Sequence, residues 1–113
     1  MARPGPGKRA EQRALWWYRL RGYRILAANE WVAGYELDLI VRRGRRLIFC
    51  EVKEKRGSRY GDPLEMVDAE KERRLRRAAD AWLERHPQPE GLEVSFDVMT
   101  IRSGRLERIA EAF

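Results

Sequence analysis

Hydrophobic positions along the chain switch repeatedly between a helical and an extended spacing. Over residues 8–21, Ala10, Ala14 and Trp17 fall on one helical face, flanked by Leu15, Tyr18 and Leu20, while Arg9, Arg13 and Arg19 project elsewhere. Gly22 supplies the left-handed stop that helices commonly use. A strand begins at residues 23–27 and resumes at Trp31 and Val32 after an irregular Ala28-Asn29-Glu30, and Gly34 breaks it. Residues 37–41 and 47–52 are almost continuously apolar, which predicts two central strands covered on both faces. Residues between Lys53 and Asp68 hold two glycines and a proline without periodicity, and read as a loop.

Asp68 then caps a second helix, with Glu70 and Glu72 in its first turn. Leu75, Ala78, Ala79, Trp82 and Leu83 form its apolar stripe, it ends near Arg85 and His86, and residues 87–91 connect onward. Residues 92–101 give a strand in which Val94, Phe96 and Val98 alternate against Ser95, Asp97 and Met99. A turn at residues 102–105 leads to a short edge strand at 106–109 and a tail ending on Phe113, an exposed or docking aromatic. The order is helix, three strands, helix, two strands. That is an α+β or mixed α/β arrangement around one sheet, in a single domain over residues 1–113 with a mobile lead-in at 1–7.

Charged residues interrupt the two central strands at alternate positions. Glu36 and Asp38 are two apart before the turn, and Glu51 and Lys53 are two apart after it, so each pair shares a strand face. An even-numbered hairpin loop, such as Arg43-Gly44 or residues 42–45, brings Asp38 and Glu51 to the same face; an odd loop without a bulge separates them. With the commoner even loop, three carboxylates and one ammonium converge.

Composition narrows the classes of function. Lys and Arg number 24 against 18 acidic residues, a net charge of +6, which favours a polyanionic partner such as nucleic acid over a solvated basic face only in part. Cys50 is the single cysteine, so no intramolecular disulfide and no cysteine zinc cluster form; in an apolar strand it reads as a small buried hydrophobe. His86 is the single histidine and stands beside Pro87 without a partner, which argues strongly against triad chemistry through histidine. Without an apolar run of membrane-spanning length or an apolar signal core, the expected location is cytoplasmic, with no membrane partner.

The converging carboxylates suit Mg²⁺ or Mn²⁺, hard ions that take oxygen ligands. Asp38, Glu51 and the carbonyl of Val52 would supply such a site. Lys53, about 7 Å along the strand from Glu51, would orient a nucleophile and stabilise charge on a phosphodiester. Lys55, Arg56, Arg59 and Tyr60 in the following loop interleave basic groups with a stackable ring, a pattern suited to a phosphate backbone with an accessible base. Lys71 and Arg74 belong to a strongly basic second helix that is either a solvated face or a phosphate-tracking surface. The plainer alternative is that Glu36, Asp38, Glu51 and Lys53 are cross-strand ion pairs on the wet side of a hairpin.

Asp38, a turn, and Glu51-Val52-Lys53 at the end of an apolar strand resemble the D…ExK signature of the PD-(D/E)xK nuclease superfamily. More narrowly, the chain resembles the bacterial YraN family of predicted endonucleases, which are similar to Holliday junction resolvases. The matching pieces span almost the whole chain: Gly22-Tyr23-Arg24-Ile25-Leu26, Glu36-Leu37-Asp38-Leu39-Ile40, Phe49-Cys50-Glu51-Val52-Lys53, Arg59-Tyr60-Gly61-Asp62-Pro63, Phe96-Asp97-Val98 and Ala112-Phe113. The resemblance implies a restriction-endonuclease-like αβββαβ core with a short C-terminal edge strand. It implies Asp38 and Glu51 as metal ligands, Lys53 as the catalytic lysine, Glu36 as the acid of a G-E-x-D segment, and Glu11 as a helix-one ligand. The chain departs from that pattern in carrying Ala10 before Glu11 and Tyr35 before Glu36, and Tyr35 is expected to point to the face opposite Glu36. The implied function is a Mg²⁺- or Mn²⁺-dependent nuclease acting on DNA, including branched DNA, with a homodimer making paired cuts. The alternatives are a non-catalytic nucleic-acid-binding module that keeps the fold, or an interaction protein using an apolar edge or the Phe113 tail.

Overall fold

The computed structural model describes residues 6–55 and 68–113. Helix α1 (Pro6–Leu20) precedes three strands, β1 (Arg24–Val32), β2 (Tyr35–Arg43) and β3 (Arg46–Lys55). Helix α2 (Ala69–Arg85) then leads to β4 (Glu93–Arg102) and β5 (Arg105–Ile109). The strands form one sheet in the order β1-β2-β3-β4-β5. Every neighbouring pair is antiparallel except β3 and β4, the pair joined by a helical crossover rather than a tight turn. This αβββαββ mixed sheet is the expected α/β class and is consistent with a restriction-endonuclease-like core.

The two helices cover opposite faces. On the α1 face, Ala10, Ala14 and Tyr18 pack on Leu39, Val41, Ile48, Cys50, Val52, Met99 and Ile101. The buried stripe is therefore Ala10, Ala14 and Tyr18 at a four-residue spacing, not one centred on Trp17, which is only half-buried. Tyr18 goes deeper because its hydroxyl finds a buried acceptor, Asp97, at 2.6 Å. The helix closes with paired bonds from the Gly22 N–H to the Arg19 carbonyl and from the Tyr23 N–H to the Tyr18 carbonyl, with Gly22 at φ 87°. On the other face, Leu75, Ala78, Ala79 and Trp82 of α2 pack on Val32, Leu37, Ile40, Leu47, Phe49 and Phe96. Asp68 caps α2 as expected, accepting from the Lys71 N–H at 2.8 Å.

Several local expectations are corrected. β1 is one strand through Ala28 to Glu30; the irregularity is absorbed by a register shift between Ile25 and Ala27 and by Asn29 at φ 52°. β4 does not alternate between core and solvent: Phe96 to Ile101 are all buried, because β4 lies between β3 and β5 with apolar layers on both faces, whereas Val94 is 44% exposed. The buried Asp97 is satisfied by Tyr18, by Arg108 Nε at 2.8 Å and by the Glu111 N–H at 3.1 Å. His86 stacks on Trp82, ring centroids 4.4 Å apart. The tail docks: Phe113 stacks on Phe96 at 5.4 Å, and the Ala112 N–H donates to the Phe96 carbonyl. No helix among the described residues is long and apolar enough to cross a membrane.

Candidate metal centre

The hairpin between β2 and β3 pairs Arg43 with Arg46 around a two-residue loop, Gly44-Arg45. The even loop sets the parity that directs Asp38 toward Glu51: the register Leu39↔Cys50, carried on by one residue, places them opposite each other. Pairing stops at Leu39 and Cys50, and the Val52 N–H instead donates to Asp38 Oδ2 at 2.9 Å. The apolar neighbours show why the strands part. Leu37 packs with the α2 layer and Leu39 with the α1 layer, although they are two residues apart. β2 therefore turns over at Asp38, whose carboxylate meets groups from both faces.

Glu11 of α1, Glu36 and Asp38 each bring a carboxylate oxygen within 4.8 Å of the others. Glu36 and Asp38, but not Glu11, line a cavity of about 360 Å³ with Glu51, Lys53, Lys71, Tyr35 and the exposed Trp31. Glu51 is 5% exposed. Its Oε1 accepts from the Tyr35 hydroxyl at 2.9 Å and lies 3.8 Å from Lys53 Nζ. Its Oε2 is buried and has no hydrogen-bond donor among the described residues. Tyr35 thus corrects an expectation: it packs against the α2 layer, but at the end of the sheet its hydroxyl reaches round into the cavity that Glu36 lines.

Electrostatics follow from this crowding. Burial pushes the Asp38 carboxyl up to about 7; the Glu51 and Glu36 charges push the same way, and the Val52 N–H and Lys53 oppose them. Burial likewise raises the Tyr35 phenol above its ordinary value, followed by the charge of Glu51 and the bond to it. A site that lines one cavity with three carboxylates, sets a fourth, Glu11, close to two of them, and leaves a buried Glu51 oxygen undonated is unfavourable by itself and is relieved by a cation. The candidate ligands are all oxygen, with no histidine or thiol among the described residues lining the cavity, so the set fits a hard ion of the Mg²⁺ or Mn²⁺ kind better than the Cys- and His-rich sets usual for zinc.

The other residues singled out from the sequence are divided. Lys71 lines the cavity from α2. Arg74 stands beside it in a separate groove with Arg73 and Arg77, bonded to Glu70 at 2.7 Å. Lys55 ends β3, but its side chain lies outside the described set; Arg56, Arg59 and Tyr60 lie outside the described residues altogether. Sequence reasoning missed two residues of the cavity. Trp31 carries a local signal, an aromatic opposite in parity to the apolar Val32. Tyr35 gave none, because strict alternation placed it on the wrong side.

The model of a family described as "Uncharacterised protein family UPF0102" matches residues 10–101. A UPF0102 protein of Methylorubrum extorquens is 42% identical over 104 residues, covering 92% of this chain and 80% of that protein. One from Symbiobacterium thermophilum is 43% identical over 101 residues, covering 87% and 82%. The UPF0102 protein YraN of Escherichia coli is 36% identical over 104 residues, covering 91% and 79%. By the family model over residues 10–101 and by these relatives, the chain belongs to the UPF0102 (YraN) family.

Proposed function

We propose that the protein is a metal-dependent nuclease that hydrolyses phosphodiester bonds of DNA. The observation that carries this reading is the undonated, buried Oε2 of Glu51, in a cavity that Glu36 and Asp38 also line, with Glu11 within 4.8 Å of both of those carboxylates. Asp38 and Glu51 would hold a Mg²⁺ or Mn²⁺ ion, with the Val52 carbonyl, Glu11 and Glu36 alongside. Bound there, a hard divalent cation supplies Lewis-acid activation of water and neutralises charge on the phosphate.

The chain's own side chains do the rest. Lys53, one-third exposed and drawn toward Glu51, presents its ammonium at the cavity, where it orients the nucleophile and stabilises the phosphate as charge builds. Lys71, which lines the same cavity from α2, offers a second ammonium to a phosphate oxygen. The Val52 N–H fixes one Asp38 oxygen, so the carboxylate keeps its orientation without rotamer freedom.

The test is cleavage of four-way-junction, flap and single-stranded DNA with manganese or with chelator. Wild type is expected to cut only with manganese, and Glu51→Gln to lose at least about 100-fold of that rate. Identical behaviour of the two proteins on every substrate would sink the nuclease reading. Salt-sensitive DNA binding that survives loss of Asp38 and Glu51, with no cleavage, identifies a binding module instead.

A further inference from the structure

Among the described residues, Trp31 is the one large aromatic lining the cavity that the proposed chemistry leaves unused, and it is 68% exposed. The other tryptophans have their rings engaged: Trp16 lies under Arg19, Trp17 under Arg21 and Arg108, and Trp82 packs against Phe49 and His86. Among the described residues Trp31 has no ring or guanidinium partner. Leaving an indole in water forgoes the burial that usually stabilises it.

Its support is nonetheless firm. Trp31 pairs directly opposite Glu36, and Val32 opposite Tyr35, around the two-residue turn Ala33-Gly34. Both turn residues have positive φ, 51° and 74°, the tight hairpin turn that matches strand twist. Val32 is buried to 3% on the α2 side, so the adjacent Trp31 projects the other way, on the side of Glu36. Cross-strand neighbours hold their Cβ atoms about 5 Å apart, which sets the indole one side-chain length from the acidic cluster.

The surroundings select the occupant. Within the cavity the indole is surrounded by Glu36, Asp38, Glu51, Lys53 and Lys71, not by an apolar patch that a protein partner would bury. A flat aromatic group tethered to an anion fits both features: the ring stacks on Trp31 while the anion meets the lysines. A nucleotide has that form. In a continuous duplex each base is already covered by its neighbours, so only an unpaired or extruded base can offer a face to the indole.

We propose that Trp31 is a stacking platform for an unpaired nucleotide next to the scissile phosphate, making single-stranded or branched nucleic acid the substrate class. This rests on the nuclease reading. Stacking is sequence-tolerant and non-ionic, so it adds affinity without adding to the salt dependence.

The experiment measures fluorescence anisotropy of a labelled oligothymidine 12-mer and a blunt 12-base-pair duplex, with calcium and with chelator, over a range of salt. Wild type, Trp31→Ala and Trp31→Phe are compared after matching their melting curves. Trp31→Ala is expected to weaken 12-mer binding roughly 10-fold, to change duplex binding less than about 2-fold, and to keep the salt slope; Trp31→Phe restores most of the loss. Equal losses on both probes, or no loss on either, overturns the stacking assignment while leaving the nuclease reading standing. A wild type that binds neither probe overturns both. A switch from dimer to monomer in Trp31→Ala with unchanged DNA binding assigns the ring to self-association and overturns the proposal.

Discussion

The hydroxyl of Tyr35 donates to Glu51 Oε1 at 2.9 Å, across the gap where β2 and β3 cease to pair. This bond decides which Glu51 oxygen remains open. Oε1 is taken by Tyr35 and approached by Lys53 at 3.8 Å, so Oε2 is the atom left to receive a cation.

Tyr35→Phe should therefore loosen Glu51 without altering the fold. A hydrogen bond to an ionised group contributes about 1.5–3 kcal/mol, and the metal-free protein is expected to lose stability within that range on urea denaturation. Manganese affinity measured by calorimetry should fall as the carboxylate gains rotamer freedom. An unchanged affinity together with unchanged stability would show that packing alone holds Glu51.

The raised Asp38 carboxyl makes stability depend on pH with a definite sign. The unfolded chain releases this proton near the ordinary value of 3.8, whereas the folded chain keeps it until about 7. Between those values the folded state binds more protons, so metal-free stability falls as pH rises from about 4 to about 7 and stays low above. The upper bound is about 4 kcal/mol. Urea midpoints at pH 5 and pH 8 should differ for wild type, converge in Asp38→Asn, and converge in wild type when manganese is added. A midpoint that rises with pH in the metal-free protein would contradict the crowding described here.

Parity was legible because it depends on one number, the loop length, and Arg43-Gly44-Arg45-Arg46 restricts that number to a few values. The reversal at Asp38 was not. Leu37 and Leu39 are the same residue type at a strand spacing, and only the three-dimensional surroundings send them to opposite layers. Trp17 and Tyr18 present the same difficulty on a helix: both are large and adjacent, and the choice between them is made by Asp97, far along the chain. Asp97 itself read as one member of an alternating strand, because nothing local announces that a polar residue has a buried partner. Glu11 likewise sits on the edge of an apolar stripe, and its place beside Glu36 and Asp38 depends on how α1 crosses the sheet.

The Asp97 network is predicted to be a stability element separate from the cavity. Its carboxylate is fully buried and accepts from Tyr18, from Arg108 through both Nε and Nη2 at 2.8 Å, and from the Glu111 N–H. Asp97→Ala leaves the Arg108 charge and the Tyr18 hydroxyl without their acceptor, a change of about 3–5 kcal/mol for a broken buried pair. Thermal denaturation should drop by roughly 10 °C or more. Calorimetric manganese binding at a temperature where the variant is folded should match wild type; a large loss there would tie the network to the metal centre.

The groove lined by Glu70, Arg73, Arg74 and Arg77 gives the prediction that bears most directly on nucleic acid. Cations in the first half of a helix are disfavoured by its dipole, yet α2 places five basic residues there and one, Arg85, in its last turn. Glu70 neutralises Arg74 at 2.7 Å and Glu72 neutralises Arg76 at 3.1 Å. Arg73 and Arg77 have no acidic partner among the described residues, and Lys71 on the neighbouring stripe enters the cavity itself. If these arginines follow the phosphate backbone away from the cavity, replacing both by alanine should lower the slope of log affinity against log salt by about 2. Affinity should fall on single strands and duplexes alike, which separates this effect from that of Trp31. The double replacement of Arg85 and Arg105, also exposed and equal in charge, is the control. A slope equal to that control would mean that α2 carries only a solvated basic face and that the backbone leaves the cavity by another path.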